Sequence, residues 1–296
     1  MEVRAATPED RERVLEFTKD TWAKEGEGAG GWDFIPGVWD RWMEKQDEGK
    51  GTVLVADDGG EPVGIVRATA YLTGEAWMEG LRVAESHRNE GVGTLLTERA
   101  LEYMKEAGAR VARVMTFSWN EPALQILMDT GFERTAEFRF ARAFGFPYGT
   151  KLGAANFDSS LYAIRDTEAY DDMNGLYVTD DWQMLEIPDR YSDFLSGVDV
   201  LAWEADDDIR AILICSGKRD RITGDQDRTE LVFGFVWMEP KYAGDVALDV
   251  RAEAREREAE DALVFMPDRD DYVNSFEQAG FDFSDVDYVF EKPLVD

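Results

Sequence analysis

The residues best suited to chemistry lie in one stretch: Glu79-Gly80-Leu81-Arg82-Val83, then Arg88-Asn89-Glu90-Gly91-Val92-Gly93-Thr94, then an amphipathic run. This reads as a strand, a short connection, a glycine-punctuated loop and a helix opening from that loop. Successive backbone N–H groups in such a loop, backed by a helix N-terminus, form an anion cradle. Glycine at 91 and 93 would let the backbone approach a bulky phosphate with no Cβ in the way. Arg88 at the mouth adds a charged fork for the same anion. The expected guest carries a pyrophosphate.

Two common phosphate motifs do not fit. A P-loop ends in Gly-Lys-Ser/Thr, whereas Gly93 runs straight into Thr94. A dinucleotide fingerprint needs a third glycine that Thr94-Leu95-Leu96 does not supply. The loop instead resembles the R/Q-x-x-G-x-G/A loop of the GNAT family, the Gcn5-related N-acetyltransferases, which grips the pyrophosphate of acetyl-CoA. Downstream, Asn120-Glu121-Pro122-Ala123 and then Gly131-Phe132 resemble the family's N-x-x-A helix closing on Gly-Phe. Upstream, Glu79-x-Leu81-x-Val83 is similar to its fourth strand.

The resemblance implies roles for particular residues. The backbone of Leu81, Arg82 and Val83 would pair with pantetheine as an added strand, at an edge left open where the fourth and fifth strands splay. Arg88, Asn89, Glu90, Gly91, Val92, Gly93 and Thr94 would hold the pyrophosphate, and Asn120 would bond along the pantetheine arm. Glu79 is the candidate general base, directly or through a water. Alternation places it on the face of Trp77 and Leu81, where apolar burial would raise its pKa toward the working range. Glu75 is a second carboxylate on that face, and a merely solvated strand carboxylate is the plainer reading of Glu79. One departure stands out. Where many relatives carry the tyrosine that protonates the leaving thiolate, this chain has Leu127, and the corresponding place before Gly280 is Phe276.

Trp32, Phe34 and Trp39, with Asp33 and Trp42, fall where the family binds its acceptor. Together with the Glu79 strand they look similar to acetyltransferases of free amino acids such as histidine, in which case Arg82 would meet a carboxylate. The same aromatics also read as core or loop anchors. The expected activity is acetyl-CoA-dependent acetylation of a primary amine on a small molecule or amino acid. Two alternatives stay open: a non-catalytic acyl-CoA-binding sensor or interaction module, and a protein lysine or N-terminal acetyltransferase.

Composition bounds the rest. The 296 residues suffice for two domains, and a 44% hydrophobic content with nine tryptophans excludes a disordered chain. Acidic residues number 63 against 32 basic ones, a net charge of −31 spread along the whole length. Self-repulsion of that size is tolerable at molar ionic strength, and the composition resembles proteins of salt-accumulating halophilic archaea. Nucleic acid is disfavoured as a partner, since its phosphates would be repelled. One cysteine, Cys215, and one histidine, His87, leave no basis for a disulfide or a thiolate or multi-histidine metal site. Without a signal-like or membrane-length apolar run, the expected protein is cytoplasmic and free of the membrane, a monomer or homodimer.

Periodicity gives the organisation. A helix start at Thr7-Pro8, a hairpin turning at Asp58-Gly59-Gly60, strands at 75–83 and 111–117, and helices after each predict an α/β class with a mixed sheet. The second half echoes the first: alternating runs near 198–203, 211–215 and 231–237 precede a helix, Gly280-Phe281 and a closing strand at Tyr288–Lys292. Its counterpart of the cradle, Glu239-Pro240-Lys241-Tyr242-Ala243-Gly244-Asp245, lacks the glycine pattern. The expected arrangement is two tandem copies of the GNAT fold: residues 1–147 bind acetyl-CoA and catalyse, and residues 148–296 form a degenerate copy. An unrelated α+β second domain is the alternative.

Overall fold

The computed structural model describes residues 1–19, 21, 33–146, 149–155, 157–190, 193–194, 197–221 and 228–295. In chain order the first elements are β1 (Glu2–Ala5), α1 (Arg11–Thr18), α2 (Ile35–Asp47), β2 (Thr52–Asp58), β3 (Glu61–Ala70) and β4 (Glu75–Val83). They are followed by α3 (Val92–Glu106), β5 (Val111–Phe117), α4 (Glu121–Asp129) and β6 (Glu133–Phe144). Local chemistry accounts for the boundaries. The Asp10 carboxylate accepts the Thr7 N–H at 2.8 Å and starts the turn that leads into α1. Gly59 and Gly60, with φ of 68° and 97°, close the β2–β3 hairpin.

The second series comprises β7 (Gly153–Ala154), α5 (Phe157–Arg165), α6 (Glu168–Asp172), β8 (Leu176–Val178), β9 (Met184–Glu186), β10 (Asp199–Ala205) and β11 (Asp208–Asp220). Then come β12 (Thr229–Met238), α7 (Ala243–Glu256), β13 (Asp261–Pro267), α8 (Asp270–Gln278), β14 (Asp282–Phe283) and β15 (Asp287–Pro293). Among the described residues no helix is long and apolar enough to cross a membrane.

The chain forms two compact units, and neither is one unbroken segment. The first consists mainly of Met1–Arg134 with Val289–Asp296, the second of Thr135–Arg221 with Asp225–Tyr288. In the first, the sheet order is β1-β2-β3-β4-β5-β15. Strands β1 to β4 are antiparallel neighbours, and β4 runs parallel to β5. Helix α3 buries Leu96, Ala100 and Met104, the period expected of a helix packed on a sheet. Val53, Val55 and Ile65 meet Val38, Trp39, Trp42 and Met43 of α2 in a separate core.

In the second unit the order is β6-β13-β12-β11-β10-β7, with β12 and β13 parallel. The series β10-β11-β12-α7-β13-α8 repeats the series β2-β3-β4-α3-β5-α4. The strand beside the fifth is the exception. The closing strand expected to complete the second half instead lies, from Val289 onward, beside β5 of the first unit, while β6 lies beside β13. By sequence the chain divides at 147/148; the compact units divide at Thr135 and again at Val289.

Candidate functional site

Strands β4 and β5 are hydrogen-bonded only where Glu75, Ala76 and Trp77 face Val111, Ala112 and Arg113. Beyond that fork β4 continues to Val83 and β5 to Phe117 without pairing. The opposite edge of β4 stays bonded to β3 through Met78, Glu79, Arg82 and Val83. A wedge therefore opens between β4 and β5, lined on one side by the stretch of β4 that β5 does not pair. An extended chain with amide groups can add to such an edge as a strand.

The wedge leads toward the N-terminus of α3. Gly91 caps that helix with φ of 82°, a conformation that favours glycine, and a Cβ placed there would have nothing within 4 Å. Among the described residues, the N–H groups of Val92, Gly93 and Thr94 meet no acceptor, as the first turn of a helix requires; the N–H of Leu95 takes the Gly91 carbonyl at 3.0 Å. Arg88 is exposed, its Nε donating to the Val83 carbonyl at 3.3 Å. Asn89 and Glu90 are exposed beside it. These groups fit a pyrophosphate. Gly93 has a different reason from the one expected: its missing Cβ faces Ile126 Cδ1 at 2.7 Å, so it serves the close approach of α4 to α3.

Glu79 lies on the β4 edge of the wedge, but not among apolar neighbours alone. Its cross-strand partner is Arg67, whose buried guanidinium donates to Glu79 Oε1. The candidate base is thus a charge-paired carboxylate, and the expectation of a carboxyl isolated in apolar surroundings is corrected. Arg67 also stands 5.5 Å from the centre of the Trp42 ring. Burial raises the Tyr103 phenol on α3, with Arg67 acting in the opposite direction. The expected alternation also ends here. One residue, Val66, spans both Gly80 and Leu81, and Gly80 has φ of 70°, so β4 bulges immediately after Glu79. The bulge re-aims the strand, and Leu81 and Glu79 do not share a face by simple periodicity.

Glu75 is not a free alternative. It is buried and bound by Arg113 Nη1 and by the Thr73 hydroxyl, the latter at 3.0 Å. Arg82, expected to meet an acceptor carboxylate, holds the buried Asp33 at 2.6 Å and stands 5.3 Å from the Phe34 ring centre. Any contribution of Arg82 to a cofactor is left to its backbone. Phe34 packs edge-on to Trp42 at 5.9 Å and is only partly buried, so it borders the Glu79 region. Trp39 is corrected from acceptor contact to core residue: it is 1% exposed among Val14, Val38, Val53 and Val55. Trp32 lies outside the described residues.

Asn120 caps α4, its Oδ1 accepting the Ala123 N–H at 3.4 Å and its Nδ2 donating to the Thr116 hydroxyl at 3.1 Å. Leu127, at the family's tyrosine position, is buried and has no proton to give. Sequence reasoning missed Arg67, although the turn at Thr73-Gly74 fixes the register that puts it opposite Glu79. It also missed the stacked rings of Phe117 and Trp119, 5.1 Å apart at the open end of β5.

The second unit repeats the fork, with Glu230–Phe233 of β12 paired to Asp261–Val264 of β13. Beyond it, Gly234 lies directly beneath the Val178 carbonyl of β8, where a Cβ would collide. Its own β8–β9 hairpin therefore covers the β12 region that would correspond to the wedge side. The turn entering α7 is capped by Tyr242, and no residue from Glu239 to Gly244 has positive φ. Among its described residues the second unit has no equivalent of the Gly91 cap.

Comparison with known proteins agrees with this geometry. Residues 12–132 match the profile of the acetyltransferase (GNAT) family. An uncharacterised N-acetyltransferase of Methanocaldococcus jannaschii is 31% identical over 101 residues, which cover 31% of this chain and 43% of that protein. The match thus spans less than half of that relative's length. A GCN5-related N-acetyltransferase from Sphaerobacter thermophilus superposes with a TM-score of 0.63 at 12% identity, over 100% of this chain and 96% of the other. A candidate acetyltransferase from Thermoplasma acidophilum gives 0.62 at 15% identity, over 99% and 100%. At these identities the likeness is one of fold, and it extends over both units.

Proposed function

We propose that this chain, whose residues 12–132 match the acetyltransferase (GNAT) family, transfers an acetyl group from acetyl-CoA to the primary amine of a small molecule or amino acid. The observation that carries this reading is the continuity of the wedge with the cradle. The β4 edge at Met78–Val83, which β5 does not pair, runs into a helix N-terminus whose first N–H groups meet no acceptor among the described residues, which suits a pantetheine arm followed by a pyrophosphate. The backbone of Leu81, Arg82 and Val83 would hold the arm, and residues 88–94 would hold the phosphates. Asn120, already a helix cap, keeps one amide hydrogen and one lone pair for the same ligand.

In the reaction the amine nitrogen attacks the thioester carbonyl, a C–N bond forms, and the C–S bond breaks with its electron pair leaving on sulfur. Glu79 takes the proton that the amine must lose, directly or through a water. Arg67 keeps that carboxylate in place. An amide N–H on the β4 edge would stabilise the oxyanion. The thiolate leaves without help from Leu127, which is tolerable for a leaving group of its pKa. The acceptor enters near Phe34 and Trp42 rather than at Trp39. Because Arg82 is already neutralised by Asp33, an amine without a carboxylate suits the site better than a free amino acid.

The test is free-thiol release from acetyl-CoA in molar KCl against a panel of amino acids, polyamines and peptides. Amine-dependent release that falls on Glu79→Gln, with acetyl-CoA affinity nearly unchanged, is the expected result. Turnover that survives Glu79→Gln would remove that residue from the role of base. Leu127 favours one other reading, a non-catalytic acyl-CoA-binding module; acetyl-CoA binding without release for any amine would select it. The second unit, lacking a cradle, is proposed as a degenerate copy that binds no acetyl-CoA, and the protein as a cytoplasmic monomer or homodimer of a salt-rich cell.

A further inference from the structure

The fork of the wedge is held by residues far apart in the sequence. Arg113, on β5 at the last paired position of β4 and β5, is buried and reaches in two directions. Its Nη1 donates to Glu75 on β4, and its Nε donates to Glu291 on β15 at 2.5 Å. The next residue on β15, Lys292, donates from Nζ to the Thr130 carbonyl at the C-terminal end of α4. Two residues further, the Leu294 N–H takes the Arg110 carbonyl at 2.8 Å. A strand some 180 residues downstream therefore grips β5 at its base and α4 at its far end, with |i−j| of 178 for the Arg113–Glu291 pair.

These two elements form the β5 side of the wedge, and α4 begins at the Asn120 cap. Parallel pairing stops at Trp77 and Arg113, so the angle between the strands beyond that point depends on what fixes Arg113. A buried guanidinium hydrogen-bonded to one carboxylate on each side sets that angle, because losing either partner releases one of the two strands it ties to β5 and costs a buried charge-assisted hydrogen bond.

We infer that Glu291 and Lys292 are positioning residues of the acetyl-CoA wedge: from β15 they set the spacing of β5 and α4 against β4. The inference rests on the acetyl-CoA reading of the wedge. It also implies that the wedge is incomplete until β15 has been made and has docked beside β5.

Acetyl-CoA binding to the full-length chain, measured by calorimetry in molar KCl, tests this without needing the acceptor. Glu291→Ala is expected to weaken binding about tenfold, by displacement of the β5 wall. Glu291→Gln, which keeps a hydrogen bond to Arg113 but not the charge, is expected to recover part of the loss. Once the acceptor is known, the acetyl-CoA KM should rise while kcat at saturation changes little, a split that a general loss of folded protein does not produce. Lys292→Met reads the α4 arm while leaving the Arg113 network intact, and it serves if Glu291→Ala does not fold. Folded variants that bind as tightly as the wild type would overturn the inference. A wild-type chain that binds no acetyl-CoA would instead overturn the functional reading on which it rests.

Discussion

The Trp42 ring fills the space that a side chain at position 80 would need: its Cη2 lies 2.5 Å from where a Cβ of Gly80 would stand. Gly80 is the bulge residue directly after Glu79, at φ of 70°, so its lack of a side chain lets the strand turn and lets α2 close on it. Gly80→Ala combines a left-handed backbone with a collision against a ring held in the core. The expected cost is about 2–4 kcal/mol, read by urea unfolding. Gly93→Ala meets only the flexible end of Ile126 and should cost less than about 1 kcal/mol. Equal costs at the two positions would contradict this account.

Arg67 faces Glu79 across the β3–β4 ladder, and its guanidinium holds that carboxylate in place. Arg67→Met should lower kcat by about tenfold or more while acetyl-CoA affinity changes little, read by thiol release and by calorimetry. An unchanged kcat in the folded variant would mean that Arg67 serves folding alone.

Two buried carboxylates of the second unit should respond to pH with opposite signs. Glu230 is pushed up by burial, but Arg219 and Arg142 outweigh that and hold it below the ordinary range. A lowered folded value means stability present above the unfolded pKa and lost as pH falls through the folded one. Asp287 is raised well above its ordinary value by burial and by Asp285, against Arg139, and its Oδ2 has no hydrogen-bond partner. Its contribution is present below the unfolded pKa and lost as pH rises through the folded one. Asp287→Asn should thus stabilise by about 1–3 kcal/mol at pH 7 and by little near pH 3.5. Glu230→Gln should destabilise at pH 7. Denaturant midpoints at the two pH values check both signs.

A net charge of −31 should make the fold depend on salt. Raising KCl from 0.1 M to 2 M shortens the screening length from about 10 Å to below about 3 Å, and the melting temperature should rise by roughly 10 °C. A flat or falling melting temperature would show that self-repulsion is unimportant here and would remove the case for a salt-rich cell.

The sequence by itself determined whatever depends on near neighbours. The helix opening from the Gly91-Val92-Gly93 loop and the Gly59-Gly60 hairpin follow from backbone preferences and hydrogen bonds within a few residues; the Asn120 cap is equally local, although the resemblance pointed there only to a ligand contact. The repeated order of strands and helices in the two halves was legible from periodicity for the same reason.

Only the tertiary structure decided the partners of the charged groups and the place of the last strand. Arg67 meets Glu79, Asp33 takes Arg82, and Ile126 explains Gly93 because strand register and helix packing bring them together. Which strand lies beside β5 is settled by competition among all available edges, and residues from Val289 onward occupy that position. Side-chain period shows which face of a strand is buried, but not which neighbour its backbone will bond. Glu291 reads in the sequence as one more surface acid, and it becomes the outer clamp of Arg113 only once the sheet has closed.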